Sequence, residues 1–240
     1  MNSQTKKEYT YGLKKGLPIA IGYLPVSFAF GLNAVSGGIP ALLVILMSLT
    51  NLTSAGQAAG ADLIIQGAGY FELVLTIFVI NIRYMLMSLS ISQKVKKEVA
   101  LPQRLIFAFG ITDEVFAVSS MEEEKLTFPY MLGLITGPIL GWTLGTTLGA
   151  MICSALPTSI KDAMGIALYG MFIAIIIPPA KKSRKVVIVL VISIVVTCIL
   201  KYVPFLRNIS SGFRVIIATF ISAGFCAVKY PIEDERGGIA

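Results

Sequence analysis

The sequence predicts an all-α, polytopic membrane protein, with about six full spans and one or two broken or re-entrant helices, and three observations predict it. Of 240 residues, 55% are hydrophobic and only 14% are charged. A soluble domain carries about 25% charged residues, so this chain has too little charge to cover a water-facing surface. Its mean hydropathy is +0.81. Charge is also clustered: twelve of the twenty Lys and Arg fall in three groups, Lys6, Lys7, Lys14 and Lys15, then Lys94, Lys96, Lys97 and Arg104, then Lys181, Lys182, Arg184 and Lys185. Basic groups separated by long apolar runs fit the bias of cytoplasmic loops toward Lys and Arg. The net charge of +7 comes without a basic stripe interleaved with aromatics, which argues against nucleic-acid binding.

A crossing helix takes about 20 mainly apolar residues, and 17–35, 72–92, 128–150, 163–180, 186–201 and 214–229 qualify. The first is expected to be a retained helix behind a cytoplasmic basic N-terminus at 1–16. Its apolar part is long, holds Pro18 and Pro25, and lacks a small-x-small cleavage site. Residues 230–240 are expected to be a polar tail, and the whole of 1–240 a single transmembrane domain.

Two segments do not fit a plain span. Residues 41–66 are long but polar at the centre, and 105–120, "LIFAFGITDEVFAVSS", are short and hold two acids. If 41–66 crossed once, helix 72–92 would deliver Lys94, Lys96 and Lys97 to the outside. If 41–66 enters and returns, and 105–120 does likewise, all three basic groups and both termini lie in the cytoplasm, as the charge bias requires. Cysteines placed at Ser36, Ser92 and Ser183 test this, and external labelling of Ser92 contradicts it.

The polar centre, "MSLTNLTSAGQAAGADL", suggests what such a segment is for. Backbone leaves helical geometry at membrane depth only where protein or a water-filled cavity satisfies it, and transporters build substrate sites from such breaks. Gly56 permits a break, while Ser48, Asn51, Thr53, Ser54 and Gln57 offer donors and acceptors. The alternative is a continuous helix packed through its small residues. Helix 72–92 holds Arg83 near its centre, where a charge is costly unless it faces a partner or a cavity. Glu72, Thr76, Arg83, Met87 and Ser90 share one face, and Asn81, Tyr84, Ser88 and Ser92 fall nearly opposite. With polar groups on both sides, this helix is expected to lie inside the bundle. Further on, Gly133, Gly137, Gly141, Gly145 and Gly149 recur every four residues, which makes a groove where a neighbouring backbone approaches closely. The earlier "GLKKGLPIAIG" has a similar Gly/Pro character, compatible with two three-helix halves.

Enzyme chemistry has little to work with. Histidine is absent, and Cys153, Cys198 and Cys226 are scattered without metal-ligand spacing. No H-E-x-x-H, G-x-S-x-G or phosphate-cradling motif is present. No enzyme activity, cofactor or metal is expected.

Four stretches together resemble the AzlC family, the large subunit of two-component branched-chain amino acid exporters. They are "GLPIAIGYLPVSFAFGLNAVSGG", "MSLTNLTSAGQ" against a pattern like S-x-x-x-F-A-G-x-x-Q, "NIRYMLMSLS" against N-L-R-Y, and "ITDEVFA" against T-D-E. The resemblance runs over roughly 12 to 200. It assigns Ser48, Gly56 and Gln57 to the broken-helix site, Asn81, Arg83 and Tyr84 to the arginine helix, and Asp113 and Glu114 to the acidic segment. The chain departs from the pattern at Ser54, where the family has an aromatic, at Gln57, directly after Gly56, and at Ala167, where the family often has an acid. The resemblance also implies export and a second, small membrane subunit of the AzlD type.

The expectation is therefore a plasma-membrane permease for small amino acids. Arg83 would grip the carboxylate bidentately, and Ser48, Asn51 and carbonyls freed near Gly56 would take the ammonium. The opposing possibility is that Arg83 is locked to Asp62, Glu72 or Asp113. With no histidine, a proton carrier must be a buried carboxylate among Asp62, Glu72, Asp113, Glu114 and Asp162. Asp113 and Glu114 are favoured, with only one of the adjacent pair expected to face the cavity. The glycine groove at 133–149 is one face on which the partner's helix could lie. An importer of another small solute, and a non-transporting assembly subunit, are the competing functions.

Overall fold

A computed structural model of the chain describes residues 3–155, 183–206 and 208–230, with single positions between 157 and 181. Most of the expected span 163–180, Asp162, Ala167 and the tail beyond Tyr230 lie outside the described residues. The described chain is helical, with one isolated bridge between Val95 and Leu126. Its helices are α1 (Ser3–Ser36), α2 (Ala41–Thr50), α3 (Ser54–Ile65), α4 (Tyr70–Lys94), α5 (Leu101–Ala108), α6 (Asp113–Ser120), α7 (Phe128–Ile152), α8 (Arg184–Tyr202) and α9 (Ser211–Lys229). Of these, α1, α4, α7, α8 and α9 are long and apolar enough to cross a membrane. The all-α polytopic class is the one the composition predicted. The helices fall into two compact units, Met1–Gly67 with Ile77–Tyr169, and Ala68–Thr76 with Gly170–Ala240.

The spine of the first unit is α1 laid along α7. Gly12 meets Tyr130 and Leu134, Gly141 meets Ala20, and Gly149 meets Phe28 and Leu32, so the two helices run parallel. Each glycine lets the other helix's backbone come within contact: a Cβ on Gly141 would stand 3.0 Å from the Cα of Ala20. The five glycines lie against α1, so this is not a free face for a partner. A second correction concerns α1 itself, which begins at Ser3, not at residue 17. Lysines are good helix formers, and Gly12 and Gly16 are buried against α7, so packing continues through the basic stretch. At 34 residues the helix is about 50 Å long, more than the roughly 30 Å of bilayer hydrocarbon.

Both irregular segments are hairpins. α2 starts just past the C-terminal end of α1, and its Ser48 reaches Thr146. α3 returns to that end, since a Cβ on Gly37 would stand 2.8 Å from Cγ1 of Ile65. The second hairpin, α5 and α6, starts and ends at the opposite end. There the Lys94 ammonium donates to the carbonyls of Ser120 at 2.6 Å and Glu122 at 2.8 Å. Lys15 pairs with Glu122 at 3.5 Å, which puts the first two basic groups at one end of the unit. The plan of a full helix followed by a broken pair thus occurs twice, over α1–α3 and α4–α6, entered from opposite ends. The second half opens at α4, not at the glycine-rich helix.

α4 also departs from expectation. Its two polar strips flank one packed side carrying Ile91, but Phe78, Ile82, Met85, Leu86 and Leu89 form an exposed apolar third side. Two polar strips do not require burial all round; this helix keeps one side fit for lipid.

In the second unit α8 packs on α9. The buried carboxylate of Glu72, in the first turn of α4, accepts from the Gly212 N–H at 2.9 Å at the start of α9, where a negative charge is favoured. Val191, Ile194, Val195 and Ile199 of α8 are exposed, as apolar residues facing lipid are.

Cysteines replacing Ser36 and Ser92 should react with impermeant thiol reagents from opposite sides of the membrane, because these positions lie at opposite ends of the first unit. Labelling of both from one side contradicts the hairpin arrangement.

Candidate functional site

Each hairpin breaks for a local reason. After Thr50 the chain turns extended, with Asn51 at φ −145°, ψ 107° and Thr53 at φ −119°, ψ 98°. The Thr53 hydroxyl donates to Asn51 Oδ1 at 2.7 Å, a side-chain bond of the kind that competes with helix continuation. In the second hairpin Thr112 caps α6, its Oγ1 accepting from the Val115 N–H at 3.4 Å. Gly110 precedes it, at a point where a Cβ would stand 2.6 Å from Cγ2 of Ile135.

The two breaks meet. Between them is a narrow, closed cleft, too tight here to admit a water molecule, lined by Tyr23, Leu52, Ser54, Tyr84, Thr112, Asp113, Glu114 and Trp142. Ser54 is the first residue of α3 and Asp113 the first of α6, so two helix N-termini, each a partial positive charge, point at one place. Arg83 Nη2 stands 2.9 Å from Asp113 Oδ2, and its guanidinium carbon lies 5.1 Å from the centre of the Tyr84 ring. Arg83 Nε is buried and has no hydrogen-bond partner. The Tyr23 hydroxyl donates to Glu114 and lies 2.8 Å from Thr112 Oγ1. Its ring meets Trp142 edge-on at 5.2 Å. The cleft therefore combines a cation, two acids, two helix N-termini and an aromatic wall.

The expected site residues divide into three sets. Ser54, Tyr84, Asp113 and Glu114 line the cleft, and Arg83 reaches it through Asp113. Both adjacent acids face it, against the expectation that only one would. They are the first two residues of a helix that begins at the cleft's edge, so a 100° offset does not turn either away. Ser48 and Gln57 stand behind the cleft, fully buried. Trp142 Nε1 donates to Gln57 Oε1 at 2.7 Å, Gln57 Nε2 to Ser48 Oγ at 3.3 Å, and Ser48 shares a 2.8 Å bond with Thr146. Asn51, Gly56 and Asn81 meet on another side of the break, where Asn81 Nδ2 donates to Thr53 Oγ1 at 3.4 Å. Gly133, Gly137, Gly141, Gly145 and Gly149 all face α1.

Tyr23, Leu52, Thr112 and Trp142 were not singled out from sequence. Trp142 carried a usable signal: the chain's single tryptophan sits inside a small-residue helix, and a buried indole N–H needs an acceptor. Gln57→Leu removes that acceptor and the donor to Ser48. It is expected to destabilise the protein by about 1–3 kcal/mol, because the Trp142 N–H is left unpaired while Ser48 keeps Thr146, which a lowered melting temperature in detergent would register.

Wider hollows lie around Tyr11, Lys15 and Glu122 at the basic end. They are open and charged, whereas the central cleft gathers polar groups against an apolar wall.

The family model described as AzlC protein matches residues 18–156, more than half of the chain and all of the cleft. The chain is 26% identical over 181 residues to the "Inner membrane protein YgaZ" of Escherichia coli, covering 72% of this chain and 74% of that protein. It is 34% identical over 189 residues to an "Uncharacterized membrane protein" of Archaeoglobus fulgidus, covering 75% and 80% respectively. No solved structure matches.

Proposed function

The chain belongs to the AzlC family and is a membrane transporter, and from that premise we propose that it exports branched-chain amino acids as the large subunit of a two-component permease of the plasma membrane. The observation that carries the reading is the Arg83–Asp113 pair at 2.9 Å, set where two broken helices begin. An amino acid needs a cation and aimed amides for its carboxylate, an acid for its ammonium, and an apolar wall for its side chain. Arg83 and the first N–H groups of α3 supply the first. Asp113 supplies the second, and Leu52, Tyr23, Tyr84 and Trp142 the third.

Asp113 occupies the guanidinium that the substrate carboxylate would claim. Substrate binding then frees Asp113 to hold the ammonium or a proton, which gives a direct route to coupling. Glu114 stays on Tyr23 and is the second candidate. Transport by Asp113→Asn and Glu114→Gln should lose the wild-type pH dependence in at least one variant; if both keep it, neither acid carries the proton.

A small AzlD-type subunit is the proposed partner, and both termini are proposed to be cytoplasmic, the chain acting as one transporter domain. The function is tested by uptake of labelled leucine, valine and other amino acids into inverted vesicles with and without that subunit. Leucine and valine uptake that requires the subunit is the expected result. Full-rate uptake by this chain alone excludes an obligatory partner, and no uptake of either amino acid with both subunits present overturns the substrate assignment.

A further inference from the structure

We propose that the break between α2 and α3 holds a monovalent alkali cation, in a cradle of neutral oxygen atoms distinct from the cleft at Asp113. α2 ends at Thr50 and Asn51 is extended, so the carbonyls of Ser48, Leu49 and Thr50 have no helical N–H four residues on to satisfy them. They form the negative end of the α2 dipole. At that end Thr53 Oγ1 donates to Asn51 Oδ1 at 2.7 Å and accepts from Asn81 Nδ2 at 3.4 Å, while Asn81 Oδ1 is buried without a partner. A Cβ on Gly56 would stand 2.6 Å from Thr53 Oγ1 and 2.7 Å from Asn81 Oδ1. Side chains from α4 and from the break thus converge on one backbone point, and only glycine leaves them room.

An orphaned buried acceptor costs about 1–3 kcal/mol, and hydrocarbon supplies no water to relieve it. Here one buried amide oxygen and two further side-chain oxygens share one location, beside the C-terminal end of α2. Hard cations take oxygen ligands, and divalent sites recruit carboxylates. Asp113 and Glu114 line the cleft, whose walls do not include Asn51, Thr53 or Asn81, so the cradle carries no formal charge. Uncharged oxygens suit a single positive charge. The cation would pin the two half-helices at a fixed break, as unwound carbonyls and half-helix C-termini do for ions in broken-helix transporters.

The test uses the purified full-length protein, melted at constant ionic strength in sodium, lithium, potassium or choline chloride. Saturable stabilisation by at least one alkali cation over choline is expected. Thr53→Val, which removes one oxygen and keeps the shape, should weaken the apparent affinity roughly ten- to a hundredfold. Asn81→Asp, which adds a charge, should strengthen it, and it decides the question if Thr53→Val does not accumulate. Equal melting in all four salts overturns the cradle, and so does a cation effect that the variants leave unchanged. Leucine flux in liposomes that hold this protein together with the proposed small subunit separates this inference from the substrate reading: flux without any cation effect removes the cradle alone, and a cation effect without flux removes the substrate reading alone.

Discussion

Arg83→Lys is expected to cut leucine transport about ten- to a hundredfold while the protein remains folded in the membrane. The charge survives, so Asp113, now 2.9 Å from Nη2, keeps a cation nearby. What is lost is the planar fork that grips a carboxylate with two parallel N–H bonds. Hydrogen bonds to charged groups contribute about 1.5–3 kcal/mol each, and losing one of the two accounts for the range. The buried Nε, without a partner, sharpens the case, since it leaves the guanidinium a donor that Asp113 does not use. Arg83→Ala should be worse, because Asp113 then keeps its charge without its partner. Normal leucine flux through the lysine variant would mean that the pair with Asp113 is structural and that the carboxylate is held elsewhere.

The second large effect is on folding. Gly141→Leu and Gly145→Leu are expected to prevent accumulation of folded protein. At both positions even a Cβ runs into α1 backbone, 3.0 Å from Ala20 Cα at Gly141 and 3.2 Å from Leu24 Cα at Gly145. A rigid helix gives way only by moving as a whole. Overpacking typically costs about 1–3 kcal/mol, and here every glycine contact along the seam would open together. Gly137 is the internal control. A Cβ there would lie 3.3 Å from the Gly16 carbonyl oxygen and 3.4 Å from Ala20 Cβ, so Gly137→Ala should be tolerated with a small local shift. Size-exclusion profiles and melting of the alanine and leucine series would show the gradient. A uniform response at all five glycines would contradict the seam as described.

The hairpins were legible in the sequence because two independent constraints met. The polar centre of 41–66 forbade a plain span, and the Lys94–Lys97 group had to share a side with Lys6–Lys15. The start of α1 was not legible, since lysines flanking an apolar run read as a loop unless something packs against them. Gly12 and Gly16 were that signal, but it has meaning only with α7 beside them. For the same reason the period-four glycines announced a groove without saying which helix fills it. At the site, Arg83 and the acids stood out because charge inside a membrane is costly. Tyr23 did not, because an aromatic is ordinary in an apolar helix and only its partner, Glu114, marks it as part of the site; the signal at Trp142 did not name Gln57 as its acceptor.

The central claim is that substrate sits where the two hairpins meet, and alkylation of a cysteine at Ser54 tests it most directly. Ser54 lines the cleft at the first turn of α3, whereas Ser92 lies near the end of α4 and serves as the reference. With the proposed partner co-expressed, saturating leucine or valine should slow labelling of a cysteine at position 54 and leave position 92 unchanged. Labelling of position 54 at the same rate with and without substrate, under conditions where leucine is transported, would place the substrate outside this cleft.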